Sequence, residues 1–348
     1  MEVIELANKL ENIFWIIVSY KWTILKILLV CLIIAVIISV VPPTVYETSK
    51  HVYETLKRWN IIWGLAIGLA LGLIIAFLGA LFNKTYPSIE DLRKNLNSLP
   101  MPVAFLGAIP KIERTESVRV SFVTHDAPKC GPSEVFRIIR TKLLFTDNDE
   151  PRIMLVASST QSEGRTTITS NLAISFAQMD KRVLILDADM RRPSLHKIFP
   201  AENVDTEGDG SRKIIDDRRK PGLSELLIMM NEKPPKEALG KIVRETGIEK
   251  LSFIPSGTIP PNPSELLSSE NMRKLISLLK EEYDYVFIDS PPVRAISDPI
   301  ILASMVDYIV YVLDVVHTRK CDIKYGLEIL QELNPRATTG VVCNLLER

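Results

Sequence analysis

Two long apolar runs dominate the first quarter of the chain. Ile24 to Val41 is nearly continuous Leu, Ile and Val, and Ile61 to Phe82 is rich in Leu, Ile, Gly and Ala. A hydrocarbon core needs about 20 such residues, so spanning helices are expected over 23–42 and 60–82, within a membrane region covering 1–83. Lys26 lies close enough to the start of the first run to snorkel to the interface. That run ends at Pro42 and Pro43 rather than at a small-residue cleavage site, which argues against a signal peptide. In the second run Gly64, Gly68, Gly72, Ala76 and Ala80 recur every fourth residue, a stripe on which another helix could pack closely.

Past Asn83 the pattern becomes polar, and 84–129 reads as a cytoplasmic linker with a capped helix start at Pro87 to Leu92 and an apolar stretch from Leu99 to Ile109. From 130 to 348 short apolar runs alternate with longer helical stretches. The spacing predicts strands at Ile153–Ala157, Arg182–Asp187, Leu251–Ile254, Tyr285–Asp289, Tyr308–Leu313 and Gly340–Asn344, and helices at Thr167–Gln178, Ser269–Glu282 and Cys321–Leu333. Strands that are apolar on both faces belong in a parallel sheet covered by helices on each side. The expected fold is therefore α/β, a doubly wound, mainly parallel sheet preceded by two transmembrane helices. Ala201 to Lys220 is charged, lacks periodicity and reads as a surface insertion.

Composition narrows the functional classes. The 47% hydrophobic content agrees with part of the chain lying outside water, and 42 basic against 42 acidic residues give no bulk charge to attract nucleic acid. Cys31, Cys130, Cys321 and Cys343 are scattered without a CxxC pair, so neither a disulfide framework nor a zinc site is indicated. Lys50, Lys57 and Arg58 in the short connecting loop oppose Lys9, Lys21, Lys84, Arg93 and Lys94 outside it, a slight bias toward cytoplasmic termini. The loop itself is too short to fold as a separate domain.

The candidate chemistry sits where strands end. After Ile153–Ala157 comes Ser158-Ser159-Thr160-Gln161-Ser162-Glu163-Gly164-Arg165-Thr166-Thr167 and then a helix, the strand-loop-helix layout whose backbone N–H groups hold phosphates. Against GxxxxGK[ST], Ser159 replaces the first Gly, Gly164 matches the second, Arg165 replaces the Lys and Thr166 supplies the metal-binding hydroxyl. A second strand runs into Asp187-Ala188-Asp189 and a third into Asp289-Ser290-Pro291-Pro292. A single Asp at a strand end is as readily a helix cap or loop ion pair. Three acids and a hydroxyl at one rim beside a phosphate loop point instead to ATP and Mg2+.

With the segments LILDADMRRP, VFIDSPP, IPSGTIPPNPSELLSS and EVFRIIR, and YPSIEDLRKNLNSLPMPVAFLGAIP upstream, the chain resembles the bacterial tyrosine kinases of exopolysaccharide and capsule synthesis, whose domain is MinD-like and of the P-loop NTPase class. The resemblance implies transfer of the ATP γ-phosphoryl group to tyrosine. It implies a catalytic set of Asp187, Asp189 and Arg165, with Asp187 as candidate base. Ser159, Gln161, Ser162, Glu163, Gly164, Arg165, Thr166, Thr167 and Asn344 would bind nucleotide, and Thr166, Asp189 and Asp289 would lie near the metal. Glu134, Arg137 and Arg140 reproduce an ExxRxxR signature of ring assembly, although by themselves they read as ordinary helix ion pairs.

Implied partners are further copies of the chain, tyrosine-bearing proteins and polysaccharide polymerase or export proteins. The implied location is the bacterial inner membrane with the kinase domain and both termini cytoplasmic. Arg165 stands where the family carries lysine, Gln161-Ser162 stand where it usually has Pro-Gly, and no tyrosine follows Tyr325. The alternatives are therefore a weak or inactive ATP-binding assembly protein and a MinD-like ATPase. Arg191 and Arg192 read as surface charge outside the catalytic set.

Overall fold

The computed structural model describes residues 85–344 apart from 87, 98, 100–101, 113–118, 146–151, 200–220 and 316, together with 25–26, 29–30, 59, 62–63 and 66–74. The chain divides into two compact units, Met1–Lys84 and Thr85–Arg348. Among the described residues no helix is long and apolar enough to cross a membrane. Most of 23–42 and 60–82, and all of the insertion 201–220, fall outside the described residues. Within the helical stretch 66–74, Gly68 and Gly72 are buried while Ile67, Leu69, Leu71, Leu73 and Ile74 are exposed.

Among the described residues the second unit is built on an eight-stranded sheet: β1 Val103–Ile109, β2 Ile153–Ser158, β3 Val183–Asp187, β4 Arg244–Glu245, β5 Leu251–Ile254, β6 Tyr285–Asp289, β7 Tyr308–Leu313 and β8 Thr338–Asn344. Their order is β1-β8-β7-β2-β6-β3-β5-β4, parallel throughout except for the short antiparallel pair β4 and β5. Alternation along each strand divides the side chains between two cores. Ile153, Leu155 and Ala157 of β2 point into one layer and Met154 and Val156 into the other, as the two-residue period requires. Helices cover both layers, which is why the inner strands are apolar on both faces up to the polar residues that end β2, β3 and β6.

The first layer is covered by α1 Ile89–Leu96, α4 Leu223–Met229, α5 Pro263–Ser268, α6 Glu270–Glu282, α7 Asp298–Ala303 and α8 Lys320–Leu333. The second is covered mainly by α2 Gly131–Leu144 and α3 Arg165–Ala177. Helix α6 starts where Ser269 accepts a hydrogen bond from the Met272 N–H, a side-chain N-cap.

The described residues from Thr85 to Lys129, within the segment 84–129 expected to be a linker, belong to this unit. Strand β1 pairs in parallel with β8 and α1 packs against it. A Cβ on Gly107 would stand 3.0 Å from Ile139 Cγ1, so glycine lets α2 lie close on this edge strand. Only Val103, Leu106 and Ile109 of β1 are buried, and its register with β8 shifts between Phe105 and Gly107, so this edge strand is half-covered, unlike the central strands.

Candidate nucleotide site

Register brings the chemistry together. Asp187 and Asp289 end neighbouring strands and stand opposite each other, while β2 continues two residues past its pairing of Val156 with Asp289 before the loop begins at Ser159. All these groups lie at the carboxyl edge of the sheet, outside which ligands of open α/β folds bind.

The loop turns through two left-handed residues, Ser162 at φ 65° and Gly164 at φ 84°. Gly164 adopts this conformation without a Cβ clash, so α3 starts at Arg165 instead of two residues later and holds Thr166 and Thr167 in its first turn. Ser162 carries the steric cost that a glycine would avoid.

Glu163 fastens the loop to distant parts of the chain. Its carboxylate accepts hydrogen bonds from the Thr160 N–H at 2.8 Å and from the Thr318 hydroxyl, and its backbone carbonyl accepts from Asn344 Nδ2 at 2.9 Å. Burial pushes the Glu163 carboxyl upward against these stabilising bonds. Ser159 turns its hydroxyl inward, 2.8 Å from the buried Tyr311 hydroxyl, leaving its backbone as the part that can serve a ligand. Gln161 is exposed and accepts from Arg192 at 2.8 Å.

The acids form a connected cluster. Thr166 Oγ1 donates to Asp289 Oδ2 at 2.8 Å, and Arg165 reaches Asp289 Oδ1 through Nε at 2.9 Å and Asp189 Oδ2 through Nη2 at 3.1 Å. Its remaining nitrogen donates to Ser158 Oγ at 3.1 Å. Asp289 is fully buried; burial raises its carboxyl, with Arg165 and Thr166 pulling the other way.

Asp187 is placed differently. Among the described residues its oxygens accept only the backbone N–H groups of Asp189 at 3.2 Å and Leu195 at 3.4 Å. Complete burial, then the charges of Asp289 and Asp189, push its carboxyl well above the ordinary carboxylate range.

Thr166, Asp189 and Asp289 offer the hydroxyl and carboxylate oxygens that hard divalent cations take, so the donor chemistry fits Mg2+. Asp187 faces backbone donors, and no group of three acidic, His or Cys side chains among the described residues forms a metal cage. A cation here would use two carboxylates and a hydroxyl, with the nucleotide supplying further oxygens.

The arginines after Asp189 have structural partners. Arg191 bridges to the buried Asp298 at 2.9 Å and to Ser264 at 3.0 Å, while the Arg192 N–H donates to Asp189 Oδ1 at 3.0 Å. Both therefore shape the turn after β3, a role hidden in the sequence because Asp298 lies 107 positions away from Arg191. Tyr311 and Thr318 are hidden for the same reason, lying 152 positions from Ser159 and 155 from Glu163, whereas Ser158 meets Arg165 only through the turn of the loop between them.

On α2, Glu134 and Arg137 pair with each other at 2.7 Å, and Arg140 folds inward to donate to the Ser175 carbonyl. Arg140 thus anchors α2 to α3 within the chain, while Glu134 remains exposed.

Residues 152–330 match the AAA domain family. Putative tyrosine-protein kinase CapB of Staphylococcus aureus is 30% identical over 219 residues, which cover 63% of this chain and 86% of that protein. Tyrosine-protein kinase YwqD of Bacillus subtilis is 34% identical over 194 residues, 56% of this chain and 73% of that one. The solved kinase domain of the Escherichia coli tyrosine kinase ETK superposes with a TM-score of 0.59 at 27% identity, covering 75% of this chain and 94% of that domain. The chain belongs to the AAA domain family and to the bacterial tyrosine-protein kinases.

Proposed function

We propose that this protein is an ATP-dependent tyrosine kinase, anchored in the bacterial inner membrane with its kinase domain and both termini in the cytoplasm, and acting in exopolysaccharide or capsular polysaccharide synthesis. The observation carrying the enzymatic reading is the joining of the phosphate loop to the strand-end acids: Thr166 and Arg165 both contact Asp289, and Arg165 contacts Asp189. The names of the relatives support tyrosine as the acceptor. The apolar runs at 23–42 and 60–82 support the anchor.

In this reading the loop from Ser159 to Thr167 surrounds the phosphates, with backbone N–H groups and the start of α3 favouring their charge. Thr166, Asp189 and Asp289 would hold Mg2+, which when bound neutralises charge on the transferring phosphoryl group. Asp187 is the proton acceptor for the tyrosine hydroxyl, and its buried carboxyl has the increased basicity that this task uses. Asn344 lies beside the loop and fits a place near the nucleotide. Rings form through the helix of Glu134, Arg137 and Arg140, and the glycine stripe of the second membrane run contributes helix pairing.

Purified full chain supplied with ATP, Mg2+ and a tyrosine-rich acceptor protein is expected to make phosphotyrosine, and Asp289→Asn to reduce its rate by about 100-fold or more. No phosphotyrosine from wild type would sink the kinase reading. A second reading, an ATP-binding assembly protein without transfer, is favoured by one feature: Arg165 is tied to the acids. It predicts nucleotide-dependent oligomers with no turnover.

A further inference from the structure

Arg165 is held among the carboxylates with every guanidinium nitrogen engaged: Nε on Asp289, Nη2 on Asp189 and Nη1 on Ser158. Its side chain is 11% exposed, against 0% for Asp289 and 7% for Asp189, so these charges meet largely away from water. A planar fork can span two acids in this way, whereas a compact ammonium acts as a point charge.

The oxygens taken by Arg165 belong to the same two acids that would hold a divalent cation. A guanidinium and a metal ion repel each other, and at this burial the repulsion is weakly screened. One of them has to leave before the other can bind. Nucleotide phosphates give the guanidinium a strong alternative partner, because arginine bonds phosphate oxygens in paired fashion. Its departure would uncover two buried acids that then call for a cation.

We propose that Arg165 is a built-in counter-cation that closes this site to divalent metal until nucleotide phosphates draw the guanidinium away, so that metal and nucleotide bind as a coupled pair. The inference rests on the carboxyl edge being a nucleotide site, as proposed above. Coupling of this kind is reciprocal: the factor by which nucleotide tightens metal is the factor by which metal tightens nucleotide.

The test is Mn2+ binding, followed by electron paramagnetic resonance, to the nucleotide-free full chain in detergent. Arg165→Met is expected to tighten Mn2+ by at least about tenfold over wild type, with Arg165→Lys between the two. The gain should vanish when Asp289→Asn is added to Arg165→Met. Because Arg165→Met leaves buried acids unpaired, Arg165→Lys against wild type decides the question if the methionine variant does not fold. Equal Mn2+ affinity in wild type and variant overturns the proposal, as does a gain that survives Asp289→Asn. Binding of a fluorescent ADP to wild type with Mg2+ separates the two levels. Absence of ADP binding overturns the site itself, whereas ADP binding with equal Mn2+ affinities overturns only the counter-cation.

Discussion

The two ends of the central sheet handle the same residue type in opposite ways. At the amino end, Asp284 and Asp307 precede β6 and β7, where they accept the Arg182 N–H at 2.7 Å and the Ile153 N–H at 2.9 Å and pair with Arg182 and Lys280. Both are partly open to solvent, and the Arg182 backbone and side chain hold the Asp284 carboxyl below its ordinary range. At the carboxyl end, Asp187 and Asp289 are fully buried and their carboxyls are pushed up. Satisfied, solvated aspartates serve the fold; aspartates raised first by burial and then by neighbouring carboxylates mark an edge arranged for something the chain does not itself provide.

The contrast can be broken experimentally, beginning with the largest effect. Arg165→Met should destabilise the domain by about 3 kcal/mol in urea unfolding, because removing one partner strands buried charge. A change under about 1 kcal/mol would show that the guanidinium contributes little to the acids.

Asp187→Asn should lower phosphotyrosine formation by about 100-fold while making the nucleotide-free domain more stable. The pH dependence has a definite sign. A carboxyl raised on folding binds its proton more tightly in the native state, so its contribution is present below the unfolded value of about 4 and is lost as pH rises toward the folded value. The melting-temperature advantage of Asp187→Asn should therefore be greater at pH 8 than at pH 5. A flat difference would contradict the raised carboxyl.

Ser162→Gly should stabilise the chain by about 1 kcal/mol in thermal unfolding, since the left-handed backbone at φ 65° suits glycine. The smallest effect belongs to the opposite end: Asp284→Asn should cost less than about 1 kcal/mol and leave phosphotyrosine formation unchanged. A loss of activity there would dissolve the distinction between the two ends.

The central strands were readable because burial on both faces leaves a contiguous apolar signature, as in YVFID and YIVYVL. Strand β1 was read as linker because VAFLGAI sits at an edge and is only half-buried. Helices as short as Pro263–Ser268 and Asp298–Ala303 span too few turns to show a period. The strand-end acids were visible by position, since apolar residues run directly into them. The inward turn of Arg165, the hydroxyl contact from Tyr311 and the hold of Thr318 on Glu163 depend on tertiary neighbours, and no local pattern announces them.

The tie between Glu163 and residues far along the chain also carries a consequence for biosynthesis. Thr318 lies 155 positions after Glu163 and Asn344 lies 181 positions after it. A ribosome adding about 5–20 residues per second exposes the phosphate loop many seconds before the residues that brace it. Until β8 has emerged, the nascent chain carries an unbraced loop beside strands that still lack a neighbour. β8, the last of the described strands, therefore carries the residue that braces the loop, and a polypeptide halted before Asn344 would lack that clasp.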